Sequence, residues 1–208
     1  MSQTPKSDPR FKNELPQAGT LQEYLGAYAD KLADAIKSIA PLALDEAYAA
    51  VGNVIKNGKR VYVAGNGGSA AIADHLCCDW TKGTHVSNLP SLKTHSFTAS
   101  VGLLTALAND FSYEEAFKRQ VEMYVESGDL IVLISSSGNS PNVVKAAEAA
   151  RTKNATVIGL TGFSGGKLRE LAHISLHVSV NNYGVVEDAH QSVMHVLSQY
   201  LARSRDSK

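Results

Sequence analysis

LIVLISSSGNS, residues 130–140, joins an apolar run to a cluster of serines and a glycine. The apolar part shows no alternation, which predicts a strand that is buried on both faces. The alanine-rich run from Asn142 to Arg151 predicts a helix directly after it. Free N–H groups and the positive end of a helix dipole meet at such a junction, and both suit a bound phosphate. The alternative is a serine-rich helix cap and turn that holds no ligand.

Predicted strands and helices alternate along the chain on both sides of this stretch, which favours one doubly wound α/β domain with a parallel sheet. Strands are predicted at 61–64, 93–99, 130–134, 155–160 and 174–180, and later helices at 70–80, 101–108, 113–125, 142–151, 167–171 and 186–202. Two further helices, separated at Pro41, precede the first strand. Residues 1–18 are polar and predict a flexible arm, so the single domain is expected to span 19–208.

Composition excludes some classes of protein. Lysine plus arginine and aspartate plus glutamate number 20 each, so a protein held mainly by nucleic-acid phosphates is disfavoured. No apolar run approaches the ~20 residues that span a bilayer, so no membrane partner is expected. The two cysteines, Cys77 and Cys78, are adjacent and cannot join distant segments, which favours a reducing, cytoplasmic setting.

A second loop of small residues, Gly65–Ser69 (GNGGS), follows the first predicted strand. It departs from a dinucleotide-binding fingerprint, because Ala70 stands where the third glycine belongs, and it has no P-loop lysine. Both small-residue loops would meet at the carboxyl edge of a parallel sheet, where ligands of this architecture bind. We therefore expect a phosphate held by hydroxyl and N–H groups; the alternative is that the glycines only permit a tight turn.

Two helices carry histidines with acidic companions. His75 and Asp79, four residues apart, share a helix face and fit either a metal pair or a base with its orienting group. The last helix carries Glu187, His195 and, between them, His190 and Gln191 among apolar residues. The alternatives are a solvated ion pair on the first helix and surface histidines on the second.

Five motifs together resemble the phosphoheptose isomerases of the sugar isomerase (SIS) fold: GNGGS at 65–69, AND at 108–110, ISSSGNS at 134–140, LTG at 160–162 and EDAHQSVMH at 187–195. The resemblance covers about residues 20–202. It implies a three-layer sandwich with a five-stranded parallel sheet, and a homotetramer with sites between subunits. It also implies interconversion of sedoheptulose 7-phosphate and D-glycero-D-manno-heptose 7-phosphate in bacterial heptose synthesis, which leads to lipopolysaccharide.

The resemblance also implies roles for single residues. Those expected to bind phosphate or substrate are Asn66, Gly67, Gly68, Ser69, Asn109, Asp110, Ser135, Ser136, Ser137, Ser140 and Glu187. Those expected to hold one Zn²⁺ per subunit are His75, Asp79, Glu187 and His195. Asp79 and His195 are the expected acid–base pair of a reaction that passes through an enediolate.

Two zinc positions depart from the family pattern, since Asp79 replaces a glutamate and Glu187 a glutamine. Two carboxylates would neutralise Zn²⁺ and weaken it as an electrophile. The side chain of Asp79 is also shorter than that of glutamate by about one C–C bond, ~1.5 Å. A shift of this size in a catalytic group is expected to change the reaction rate or the sugar that is used. Non-catalytic SIS modules, either of a replication-initiator-binding type or sensors of sugar phosphates, are the alternative functions.

Overall fold

The computed structural model describes Leu15 and residues 19–206 of the chain. Five parallel strands form one sheet in the order β2-β1-β3-β4-β5. The strands are β1 (Arg60–Gly65), β2 (Lys93–Ser96), β3 (Leu130–Ser135), β4 (Thr156–Thr161) and β5 (Ile174–His177). The helices are α1 (Leu21–Lys37), α2 (Pro41–Lys56), α3 (Gly68–Cys78), α4 (Val101–Asp110), α5 (Ala116–Tyr124), α6 (Pro141–Thr152), α7 (Gly166–Leu171) and α8 (Tyr183–Asp206).

The strand order reverses between β1 and β3. From β1 the chain crosses to the outer strand β2, and from β3 it proceeds through β4 to β5 on the other side. Gly65 of β1 pairs with Ile134 of β3, so the loops that follow these two strands begin side by side. Loops diverge at such a reversal and leave a crevice, which is the usual ligand site of open parallel sheets.

Each face of the sheet is covered by its own set of helices. One apolar cluster joins α1, α2, α3 and α8 to residues such as Val63 and Val132. The other joins α5, α6 and α7 to residues of opposite orientation, such as Tyr62 and Ile131. The expected three-layer sandwich is therefore confirmed. Because α3 and α8 cover the same face, their polar residues can meet.

Local sequence explains how the first two helices begin. Thr20 caps α1 in a reciprocal pair, since its hydroxyl accepts from the Glu23 N–H while the Glu23 carboxylate accepts from the Thr20 N–H. Pro41 occupies the first turn of α2, where its missing N–H costs nothing. Tyr28 donates to Asp188 at 2.5 Å and joins α1 to α8. Of the two N-terminal helices, α1 thus packs on α8, and α2 packs on strands β1, β3 and β5 of the domain's own sheet.

All five predicted strands are present, but some elements end elsewhere than predicted. β2 stops at Ser96, because the Ser96 hydroxyl accepts from the Thr98 N–H and turns the chain. β5 stops at His177, and α5 begins only at Ala116. The predicted arm, residues 1–18, lies outside the described residues except for Leu15, which is buried. Within the described part of the chain, no helix has the length and apolarity to cross a membrane.

His190 is an unusual member of the core. It lies on α8 with 1% of its surface exposed, and among the described residues neither ring nitrogen has a well-formed hydrogen bond. Burial lowers the pKa of His190 to about 4, opposed by a weak interaction with the Thr161 backbone and assisted by nearby His177. The folded protein therefore holds this imidazole in its neutral form.

We predict that acid weakens the fold through His190. The unfolded chain, with an ordinary pKa near 6.5, binds this proton more readily than the folded one. The contribution of His190 to the free energy of unfolding is thus fully present above pH 6.5. It is lost as the pH falls toward 4, by about 3 kcal/mol in total. Urea unfolding measures the free energy of unfolding at pH 7 and at pH 4.5. Its decrease between the two pH values should be smaller for His190→Leu than for the parent. His85→Gln, an exposed histidine, serves as the control; equal losses in His190→Leu and the parent would contradict the prediction.

Candidate active site

A cavity of about 370 Å³ opens at the carboxyl ends of β1 and β3, where the strand order reverses. Its lining comes from both loops predicted to bind phosphate and from two aromatic residues beyond them. The lining residues are Asn66, Ser69, Ile134, Ser135, Ser136, Ser137, Ser140, Phe163 and Tyr183. No lysine or arginine is among them. An anion in this cavity would be held by hydroxyl and N–H dipoles.

The serine loop is folded by its own hydrogen bonds. The Ser135 hydroxyl accepts from the Gly138 N–H at 3.2 Å and lies 3.1 Å from the Ser140 hydroxyl. Gly138 has φ +67° and packs against the Gly165 carbonyl so closely that a side chain would overlap it. The Ser136 hydroxyl is buried and has no hydrogen-bond partner among the described residues. Buried polar groups are normally paired, so this hydroxyl is suited to a ligand.

Asn66 is held by two residues that sequence reasoning missed. Its side chain forms a reciprocal amide pair with Asn142, at 2.9 Å in each direction. Its oxygen also accepts from the Tyr113 hydroxyl at 2.8 Å. Asn142 is buried in the first turn of α6, and its place directly after Ser140–Pro141 was the available signal. These contacts fix the glycine loop to the serine loop.

Four further residues that were predicted to contact substrate do not line this cavity: Gly67, Gly68, Asn109 and Asp110. Gly67, with φ +56°, and Gly68 begin α3. Asn109 and Asp110 are exposed at the end of α4, where their side chains bond to each other at 3.0 Å. Contact between this pair and a substrate stays a prediction.

His75, Asp79 and His195 form one cluster on the sheet face shared by α3 and α8. The Asp79 carboxylate lies between the histidines, with Oδ1 3.5 Å from His75 Nε2 and Oδ2 3.6 Å from His195 Nε2. The imidazole rings are 5.0 Å apart, centroid to centroid. Asp79 begins a π-helical turn, Asp79–Gly83, at the end of α3; such turns recur at functional sites. All three side chains are 32–49% exposed and can reach a ligand.

Gln191 also belongs to this cluster. Its amide Nε2 lies 3.0 Å from His75 Nδ1 and 2.9 Å from His195 Nε2. Gln191 stands one turn before His195 on α8, so both side chains share a helix face. The sequence placed Gln191 beside Glu187 and His195 but gave it no role.

Glu187 is the one predicted metal residue that the structure leaves outside the cluster. Its carboxylate lies against Gly68 at the start of α3, where an added Cβ would be 2.7 Å from Glu187 Cδ. Burial raises the pKa of Glu187, an effect that a hydrogen bond from Tyr183 opposes and nearby Asp188 reinforces. Its Oε1 has no hydrogen-bond partner among the described residues. Glu187 therefore faces the loop end of α3, beside the cavity wall.

The donor set fits a zinc ion. Nitrogen and oxygen atoms from His75, Asp79 and His195 all lie within 4.8 Å of one another. Two ligands on a tetrahedral zinc are about 3.4 Å apart, close to the observed nitrogen–oxygen distances of 3.5 and 3.6 Å. Two imidazoles and a carboxylate, with exposure on one side, are also typical of catalytic zinc sites.

The molecule resembles known proteins along most of its length. A model of the SIS domain family matches residues 23–162. The phosphoheptose isomerase of Aliarcobacter butzleri is 35% identical over 185 residues, which are 89% of this chain and 96% of that protein. The structure of phosphoheptose isomerase GmhA from Neisseria gonorrhoeae superposes with a TM-score of 0.80 at 29% identity, over 91% of this chain and 100% of that one.

A second solved phosphoheptose isomerase, from Francisella tularensis, gives a TM-score of 0.81 at 27% identity and covers 88% of this chain and 96% of that one. Sequence and structure thus agree on the same relatives over nearly their full length. The chain belongs to the phosphoheptose isomerase family of SIS-domain proteins.

Proposed function

We propose that the protein is an aldose–ketose isomerase that interconverts sedoheptulose 7-phosphate and D-glycero-D-manno-heptose 7-phosphate. One observation carries the proposal: a cavity lined by hydroxyl groups and a cluster of two histidines and an aspartate lie at opposite ends of one helix, α3. This arrangement suits a substrate with a phosphate at one end and a carbonyl at the other.

The dimensions of the site support this substrate class. His75 in the cluster lies six positions after Ser69 in the cavity, which is about 9 Å along the helix axis. Six C–C bonds join C1 to C7 of a heptose, and because tetrahedral bonds zigzag, each advances an extended chain by about 1.25 Å, or about 7.5 Å in all; the phosphate ester at C7 extends the molecule further. With its phosphate at the serine loop, a seven-carbon sugar therefore reaches the cluster with C1 and C2.

Asp79 and His195 are the proposed acid and base. Isomerisation moves one proton between C1 and C2 and another between the attached oxygens. Asp79 presents one carboxylate oxygen to each histidine, so one oxygen can hold a cation while the other accepts a proton from carbon. His195 lies beside Asp79 with 39% of its side chain exposed, and it can carry the proton between the sugar oxygens when it is not bound to the cation. The roles of Asp79 and His195 as ligand and as acid or base would thus alternate during turnover.

Zinc is the proposed cofactor, one per subunit, held by His75, Asp79 and His195. When bound, it polarises the carbonyl and hydroxyl oxygens of the sugar and stabilises negative charge on them. The chain's own residues then position the substrate: Ser69 and the serine loop anchor the phosphate, and Asn66 keeps the two loops together.

Cys77 and Cys78 are both unpaired thiols, in keeping with a cytoplasmic setting.

His195→Ala is expected to lower kcat at least 100-fold, because a general acid–base group contributes about 10²–10⁴ to the rate. A coupled assay with sedoheptulose 7-phosphate and a panel of pentulose and hexulose phosphates measures this and identifies the sugar. His85→Ala, outside the cluster, is the matched control and should retain the parent rate. Near-parent turnover in a folded His195→Ala protein would refute the assignment.

Ser136→Ala separates ligand binding from stability. Its hydroxyl is buried without a partner, so removing it should leave the free energy of unfolding unchanged or slightly higher. Substrate affinity should fall about fivefold, as for the loss of one hydrogen bond of about 1 kcal/mol. The exposed Ser164→Ala is the control. Unchanged affinity in Ser136→Ala would remove this residue from the binding site.

A homotetramer is the proposed assembly, supported by apolar side chains that α1 and α2 leave exposed: Leu21 at 84%, Leu25 at 57% and Leu42 at 69%. Surfaces of this kind mark contacts with other chains. Light scattering on the eluted protein should give four times the mass of one chain. Leu25→Asp should shift the population to smaller species, because it places a charge in the contact. A monomeric parent protein would contradict the proposal.

A further inference from the structure

We infer that Gln191, and not Glu187, is the fourth side chain of the cation site formed by His75, Asp79 and His195. The inference rests on the proposed function, because it concerns the cofactor of that same site. It replaces the set expected from the sequence, in which Glu187 was the fourth ligand.

The contacts of Gln191 are the first argument. Its amide group lies within hydrogen-bond distance of both imidazoles, at 3.0 Å from His75 and 2.9 Å from His195. The N–H₂ end can donate to both rings only while the two ring nitrogens carry lone pairs. His195 turns the same nitrogen, Nε2, toward Gln191 and Asp79, whereas His75 faces Gln191 with Nδ1 and Asp79 with Nε2. His75 would therefore join a cation shared with Gln191 through Nδ1.

The chemistry of the amide is the second argument. An amide nitrogen is not a metal ligand, whereas the amide oxygen is an acceptor with two lone pairs. The terminal torsion of glutamine is broad and roughly two-fold, so exchange of the nitrogen and oxygen ends costs little. Gln191 can thus donate to the two imidazoles or offer its oxygen to a cation that they hold.

Helix register is the third argument. On α8, Glu187, Gln191 and His195 are spaced by one turn each, along the side that faces α3. Glu187 meets Gly68 at the start of α3, and Gln191 meets His75 two turns further along. For Glu187 to join the cluster, its carboxylate would have to leave Gly68 and the hydrogen bond from Tyr183.

The charge of the site changes with this assignment. Two neutral imidazoles, one carboxylate and one amide leave a net charge of +1 on a divalent ion, whereas Glu187 as ligand would give zero. A net positive site attracts developing negative charge on the sugar oxygens more strongly. The replacement of the family's glutamine by Glu187 therefore does not weaken the electrophile, because Gln191 supplies the neutral donor one turn later.

Metal affinity tests the inference directly. The parent, Gln191→Leu, Gln191→Glu and Glu187→Gln are stripped with chelator and titrated with Zn²⁺ against a chromophoric competitor. Gln191→Leu should bind Zn²⁺ more than about 100-fold more weakly, because loss of a ligand should exceed the range of about 10- to 100-fold for loss of a group that only orients a ligand. Gln191→Glu should remain a tight binder, because its carboxylate offers oxygen. Glu187→Gln should keep the parent affinity.

Co²⁺ in place of Zn²⁺ gives a second readout that does not depend on activity. The visible bands of the Co²⁺ protein should change in Gln191→Leu and stay as in the parent in Glu187→Gln. Circular dichroism and thermal unfolding of each metal-free variant establish that it is folded. A third variant, Gln191→Met, covers the case in which Gln191→Leu does not fold.

Parent-like Zn²⁺ affinity in folded Gln191→Leu or Gln191→Met, which lack an oxygen donor, would overturn the inference. Loss of Zn²⁺ affinity in Glu187→Gln would do the same. A weakly binding Gln191→Glu would also overturn it, since only the donor N–H₂ group would then matter. Failure of the proposed function would look different. A parent protein that binds Zn²⁺ tightly but turns over no sugar phosphate refutes the function and leaves the ligand assignment standing.

Discussion

The parallel pairing of β1 with β3 is the constraint on which the site depends. These strands are neighbours in the sheet although β2 separates them along the chain, so the loops after them diverge from a common edge. Parallel strands place both loops at the same end, and right-handed crossovers send their helices to opposite faces. The crevice between Asn66 and the serine loop follows from this pairing, and the reciprocal amide bonds between Asn66 and Asn142 close it.

The contact between α3 and α8 has the same importance for the cluster. Both helices bury apolar residues, such as Leu76 and Met194, on one face of the sheet. Once that face is shared, Gly68 gives the Glu187 carboxylate room, and His75 and Asp79 meet Gln191 and His195 further along. The polar residues do not drive this packing, because partly exposed ion pairs contribute little. Apolar burial positions them.

The cavity and the His75–Asp79–His195 cluster would stabilise negative charge by different groups. The cavity has no lysine or arginine in its lining and offers hydroxyl groups and loop N–H groups. The cluster offers ligands for a cation, whose charge acts at the opposite end of the proposed substrate. This division keeps the phosphate end, which does not react, apart from the end where the oxyanion develops.

The sequence by itself determined the elements, their order and the residues of both loops, because buried parallel strands and amphipathic helices leave strong local patterns such as residues 130–140. It also singled out His75, Asp79 and His195 by their places on two helices, although it chose between a functional and a surface role only through resemblance to a family. It could not decide which residues touch. Strand order and helix face depend on contacts between distant segments, so only the tertiary structure paired Asn66 with Asn142, turned Glu187 toward Gly68 and brought Gln191 between two imidazoles.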